Sequence, residues 1–105
     1  MIHNLLKNAL YAIKRAGKGS IMISVEKRKE GVIQITFTDT GEGMSDDIRE
    51  HIFEPFYTTK DSETSIGLGL YFCKMALGKM NASISCTSKE REYTTFMIRF
   101  KGLIS

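Results

Sequence analysis

A run that alternates apolar and polar residues, Val32 to Thr38, ends directly in Asp39-Thr40-Gly41-Glu42-Gly43-Met44. Such alternation is the pattern of a half-buried strand, so the chain has to build a sheet and deliver a carboxylate at the end of one of its strands. Two glycines around a single residue come next, which frees the backbone there for close approach to a ligand. A second pair lies downstream in Gly67-Leu68-Gly69-Leu70, and an asparagine pair, Asn4 and Asn8, lies upstream.

The bulk properties narrow the classes open to such a chain. At 105 residues it is expected to be one domain, large enough to bury a core without metals or disulfides. No apolar run is long enough to span a bilayer and no signal peptide opens the chain, so a membrane contact by this stretch is not expected. The net charge of +3 is modest and the basic residues are scattered apart from Lys27-Arg28-Lys29, a solvated turn and not the broad basic face that nucleic acid needs. Cys73 and Cys86 sit in apolar surroundings without CxxC spacing, as buried thiols in a reducing cytosol do.

Residues 2 to 16 read as an amphipathic helix: Ile2, Leu5, Leu6, Ala9, Ile13 and Ala16 share one arc, Asn4, Asn8, Tyr11 and Arg15 another, and Gly17 ends it. Two asparagines a turn apart either face water or offer amide oxygens to a hard cation such as Mg2+. Strands are expected near 20–27 and 32–38, joined as an antiparallel hairpin with one face covering the helix. Ser45 is placed to cap a short helix running to about Ile52, and Pro55 stops it. Residues 57–65 are polar and aperiodic, a loop. From Leu68 to about Leu77 the chain is apolar nearly all round, which predicts a largely buried helix that Gly78 ends, with glycine-freed amides at its start suited to phosphate. Strands near 82–87 and 94–100 close the chain. The order predicts an α/β (α+β) two-layer sandwich: a mixed sheet covered on one face by about three helices. The asparagine helix, the carboxylate strand and the two glycine pairs, in that order, have the look of a nucleotide site.

The same order resembles the ATP-binding catalytic domain of sensor histidine kinases, within the wider gyrase, heat-shock chaperone and MutL ATPase group. His3-Asn4-Leu5-Leu6-Lys7-Asn8-Ala9 is similar to that family's asparagine box, and Asp39-Thr40-Gly41-Glu42-Gly43-Met44 to its first glycine box. Ile52 to Lys60 resembles its phenylalanine box and Gly67-Leu68-Gly69-Leu70 its second glycine box. The run His3 to Ile13 and Tyr93-Thr94-Thr95-Phe96 also resemble hybrid kinases that sense quorum-signalling autoinducers. The chain starts almost at the asparagine box, where the family has a preceding strand, so a Bergerat ATP-binding fold lacking its first strand is expected. The family's glycines near the C-terminus are replaced by Asn81-Ala82 and by Arg91-Glu92-Tyr93-Thr94.

The resemblance implies ATP and Mg2+ as cofactors. Asn8 would hold the metal and Asn4 support the phosphates. Asp39 would accept from the exocyclic amine of adenine, with Thr95 assisting. Gly41 and Gly43 would let the base sit against backbone, and Met44 would contact it. Phe53 and Phe56 would anchor a lid that brings Lys60 to the phosphates, and Gly67, Leu68, Gly69 and Leu70 would present amides to them. Asn8 and Lys60 would carry the catalysis.

It further implies that residues 1–105 are part of a larger, cytoplasmic sensor kinase portion whose γ-phosphoryl goes to a histidine on a separate helical dimerisation domain, and on to a response-regulator receiver. Neither His3 nor His51 is followed by the acidic residue expected of an acceptor. Other readings are a hydrolytic ATPase, which would want a glutamate where Asn4 stands, a serine kinase of the anti-sigma-factor type, and a degenerate binding module that has lost catalysis.

Overall fold

The computed structural model describes residues 2–57 and 69–101. Helix α1 spans Ile2–Ala16, and strands β1 (Ile21–Lys27) and β2 (Ile33–Asp39) follow, joined through a tight turn at Lys29–Gly31 in which Glu30 and Gly31 take positive φ. Helix α2 is Asp46–His51, α3 is Gly69–Lys79, and strands β3 (Ala82–Lys89) and β4 (Tyr93–Phe100) complete the order. Ser45 caps α2 as its sequence position requires: its backbone is extended and its hydroxyl accepts the Ile48 N–H at 3.2 Å. Asp46 and Asp47 add negative charge at the helix's positive end.

The sheet order is β1-β2-β4-β3. Each of the three described pairings is antiparallel, where the sequence suggested a mixed sheet. The connection from β2 through α2 and α3 does bring β3 parallel to β2, as a strand–helix–strand unit would. The last strand then returns between them, so the two parallel strands never pair.

Alternation sorts the strands into two faces. Phe37, Asp39, Thr94, Phe96, Ile98, Phe100 and Cys86 lie on the face that the helices cover, together with half-buried Ile33, Ile35 and Ile84. Leu5 and Ala9 of α1 and Cys73 and Leu77 of α3 descend onto it, and Ile52 closes it beside α2. Phe37, Leu5, Leu77 and Ile98 are the largest fully buried side chains, each worth about 1.5–3 kcal/mol of burial. On the opposite face Thr36, Thr38, Ser85, Thr87 and Thr95 form a polar surface.

Two expectations about packing change. The hairpin covers α1 through β2 and hardly through β1, whose Ile23 and Val25 share the core-facing side yet remain 54% and 66% exposed at the sheet's edge. Helix α3 is not largely buried: it presents one stripe to the core and leaves Phe72 and Met75 in solvent. Apolar residues all round a helix do not say how much of its circumference will find a partner. Gly78 does not end α3 either. The helix runs on to Lys79, and Asn81, at φ 57°, makes the left-handed turn out of it. A Cβ at Gly78 would meet nothing within 4 Å. Gly78→Ala is therefore expected to stabilise the domain by about 0.5–1 kcal/mol, read as a rise in the urea midpoint at unchanged slope.

Candidate functional site

Strand β2 ends by placing Asp39 on the helix-covered face, 3% exposed. Its Oδ1 accepts the Gly41 N–H at 3.0 Å, the tight local bond that an aspartate makes two residues on. Burial pushes its carboxyl above the ordinary range; the Gly41 bond pulls it down and the charge of Glu42 raises it further. An acid held in this way is costly to ionise and therefore eager for a donor.

Register decides which residue stands beside it. Asp39 pairs with Thr94, and Thr94 pairs with Ser88, so the three side chains form a row across β2, β4 and β3 on one face. Thr95, assigned to Asp39 from sequence, points to the other face, where its hydroxyl meets that of Thr38 at 2.9 Å. With two adjacent threonines, a slip of one residue inverts the face, and only the pairing fixes which is which. Thr94 takes the place that the sequence gave to Thr95.

The loop after Asp39 is clamped on both sides. The Glu42 N–H donates to the Ala12 carbonyl of α1 at 3.1 Å, and the Arg91 N–H of the β3–β4 turn donates to the Glu42 carbonyl at 2.6 Å. Gly41 lies so close to α1 that a Cβ would come within 2.5 Å of the Ala12 backbone. Gly43, at φ 64°, lies against the Lys89 carbonyl oxygen. Both glycines were expected to make room for a ligand; the backbone they approach is the protein's own. Met44 packs against the core, and its N–H donates to Ser88 Oγ at 2.8 Å.

Above this loop opens a cleft of about 330 Å3, lined by Tyr11 and Arg15 of α1, Glu42 to Ser45, Ile48 of α2, and Glu90 and Arg91. Arg15 Nε and Glu42 Oε2 stand 3.5 Å apart at its rim. Tyr11 and Arg15 were legible as lining residues, because helix phase puts them on the arc of Asn4 and Asn8. Arg91 carries no such signal, since only the return of β4 brings that turn to the loop.

Further along the same arc, Asn4 Nδ2 donates to the Gly69 carbonyl at 3.5 Å and approaches Cys73 Sγ at 3.7 Å. The first turn of α3, with the helix-start amides of Gly69 and Leu70, is thus held against the asparagine arc. Asn8 is half-buried on that arc. Among the described residues no three His, Cys, Asp or Glu side chains gather as a metal cage. A hard cation beside Asn8 would rest on a neutral amide oxygen and on oxygens brought by a ligand, which fits Mg2+ bound with phosphates.

The aromatic segment after α2 divides. Phe53 stands edge-on to Phe96, centroids 6.3 Å apart, with Lys74 Nζ 5.4 Å from its own centroid. Phe56 does not pack: it is 72% exposed and sits at φ 68°. His51 hydrogen-bonds Glu54, which raises its pKa, and rests 5.5 Å from the Tyr57 ring. Lys60, Gly67 and Leu68 lie outside the described residues. Both cysteines are buried; burial pushes the Cys86 thiol up to about 12, which leaves it inert. No helix among the described residues is long and apolar enough to cross a membrane.

Residues 1–103 match the family model described as histidine kinase-, DNA gyrase B-, and HSP90-like ATPase. The chain is 36% identical over 99 residues to the CAI-1 autoinducer sensor kinase/phosphatase CqsS of Vibrio cholerae, covering 94% of the chain and 14% of that protein. It is 38% identical over 98 residues to the C4-dicarboxylate transport sensor protein DctB of Rhizobium meliloti, covering 93% and 15%. Its fold matches the nucleotide-free catalytic domain of the histidine kinase ThkA with a TM-score of 0.75 at 26% identity, covering 93% of this chain and 61% of that one. The chain thus spans about one seventh of the length of these curated relatives, which sense different signals.

Proposed function

Since the chain belongs to the histidine kinase-, DNA gyrase B- and HSP90-like ATPase family, and is a catalytic domain of the histidine-kinase kind, we propose that it holds Mg-ATP along the cleft for transfer of the γ-phosphoryl to a histidine on a separate helical domain. The observation that carries this reading is that helix α1 ties two polar ends together, the loop after Asp39 through Ala12 and the start of α3 through Asn4. Asp39 stands buried at a strand end, and the start of α3 is tied to the asparagine arc by Asn4. Asp39 and Thr94 receive the adenine amine, Met44 and Ile48 flank the base, and Asn8 lies toward the phosphates. When bound, Mg2+ supplies neutralisation of phosphate charge. Asn8 would hold it, while the amides of Gly67 to Leu70, with Lys60, bind the phosphate oxygens. An imidazole is itself nucleophilic, so the domain has to position and neutralise more than it has to take a proton.

Phosphoryl transfer is favoured over hydrolysis by Asn4. Its amide is spent on the α3 backbone and cannot take a proton from water. The partners follow from the reaction: a dimerising helical domain that carries the acceptor and, after it, a receiver domain, all on the cytoplasmic side of the parent sensor.

Calorimetric titration with ATP, with and without Mg2+, tests the reading. Wild-type protein is expected to bind more tightly with the metal, whereas Asn8→Ala loses at least about tenfold in affinity for Mg-ATP and little for metal-free ATP. A folded domain that binds no ATP in either condition overturns it.

A further inference from the structure

Ser88 lies at the end of β3, outside every motif discussed so far, and its one hydroxyl serves three neighbours. Its Oγ is 2.7 Å from the Tyr93 carbonyl, 2.8 Å from the Met44 amide nitrogen and 3.0 Å from Thr94 Oγ1. A serine hydroxyl has one proton to give and two lone pairs to receive with. The Tyr93 carbonyl can only accept, so Ser88 gives its proton there. The Met44 N–H can only donate, so it takes one lone pair. The contact with Thr94 then has one direction left: Thr94 donates to Ser88.

That direction fixes what Thr94 can offer. Its single proton is committed to β3, and its oxygen keeps lone pairs only. Next to it in the row, across one strand spacing, stands Asp39, whose Oδ1 is already used by Gly41 and whose other oxygen is also an acceptor. The base end thus displays two acceptors side by side and no donor. A primary amine matches that pattern: two N–H···O hydrogen bonds, each about 2.9 Å between heavy atoms and diverging by about 120°, reach acceptors about 5 Å apart, against a strand spacing of about 4.8 Å. A carbonyl in the same place would meet lone pairs with lone pairs.

We propose that Ser88 is a positioning residue that sets the base preference of this site, acting through Thr94 by holding it as an acceptor, so that a 6-amino purine is taken and a 6-oxo purine refused. The inference rests on the ATP reading above and adds to it a residue that touches no ligand. It also gives the clamp on Met44 a second purpose. The serine that pins the glycine loop is the one that orients Thr94, so loop position and base recognition are set by the same oxygen.

The test compares affinities for Mg-ATP and for inosine triphosphate, which carries a 6-oxo group, by calorimetry on the whole chain. Ser88→Ala frees the Thr94 proton to turn toward a 6-oxo group. The ratio of ATP to inosine triphosphate affinity is expected to fall at least about tenfold, and Ser88→Thr, which keeps the hydroxyl, is expected to restore it. In a Thr94→Val background Ser88→Ala should leave the ratio where Thr94→Val alone puts it. A merely structural serine would weaken both triphosphates alike; an unchanged ratio in Ser88→Ala overturns the inference while ATP binding by wild-type protein keeps the reading beneath it. Wild-type protein that binds neither triphosphate overturns both.

Discussion

Asp39→Asn is expected to lower ATP affinity by about a hundredfold or more without unfolding the domain. The two side chains have nearly the same shape, but only the carboxylate accepts on both sides. Gly41 N–H needs an acceptor at one oxygen, and the ligand amine needs one at the other. An asparagine turned to satisfy Gly41 offers its NH2 group to the incoming amine; turned the other way it sets NH2 against N–H inside the protein. Calorimetry would show the loss, and near-wild-type binding would remove Asp39 from the site.

The same substitution carries a stability prediction of opposite sign. The Asp39 carboxyl is raised by burial, so the folded state resists ionising it more than the unfolded state does. Below the ordinary aspartate range the residue is neutral in both states and the variant gains nothing. As pH rises through that range toward the raised folded value, the wild-type protein loses stability that Asn keeps. Denaturant midpoints at pH 3 and pH 7 should therefore coincide and diverge respectively, with the variant higher at pH 7. Binding lost while stability holds or rises is the signature of a functional carboxylate.

Gly43→Ala should fail differently, by about 3 kcal/mol or more of stability. At φ 64° any side chain is strained, and here the added carbon would also overlap the Lys89 carbonyl oxygen. Neither obstacle is the end of a flexible side chain; both are backbone. The loop would have to leave the β3–β4 turn, losing the Arg91 to Glu42 and Met44 to Ser88 bonds as it went. Chemical denaturation measures the cost directly, and a variant within about 0.5 kcal/mol of wild type would mean that the loop is not clamped there. The contrast with Gly78→Ala, expected to stabilise, separates a glycine that a close approach requires from one that merely occupies a helix.

Local patterns carried most of the fold. The periodicity of α1, the Ser45 cap and the alternation of Ile33 to Phe37 each reflect forces acting within a few residues, and each element stands where they placed it. What depended on distant pairing was not readable. Thr94 and Thr95 are equivalent until β4 docks on β2. Gly41 and Gly43 announce a close approach but not to what, and the answer lies in α1 and in a turn nearly fifty residues further on. The exposure of Phe72 and Met75 depends on how much neighbouring structure α3 meets, which composition does not encode. Ser88 was invisible for the same reason: its role exists only when three separate segments converge on one oxygen.

The place of β4 in the sheet has a consequence for how the domain comes into being. The last of the four described strands in chain order is not an edge but lies inside the sheet, flanked by β2 and β3. A nascent chain that has already released its first hairpin and its helices still has a sheet split in two, with Phe37 and Cys86 lacking the Phe96 neighbour between them. Closure waits for β4 to emerge, and the row Asp39–Thr94–Ser88 is assembled in that same event. Contacts so far apart in sequence are slow to form, which leaves the incomplete chain exposed to mispairing. It also means that a chain lacking β4 yields no partly competent domain: recognition and closure of the sheet arrive together.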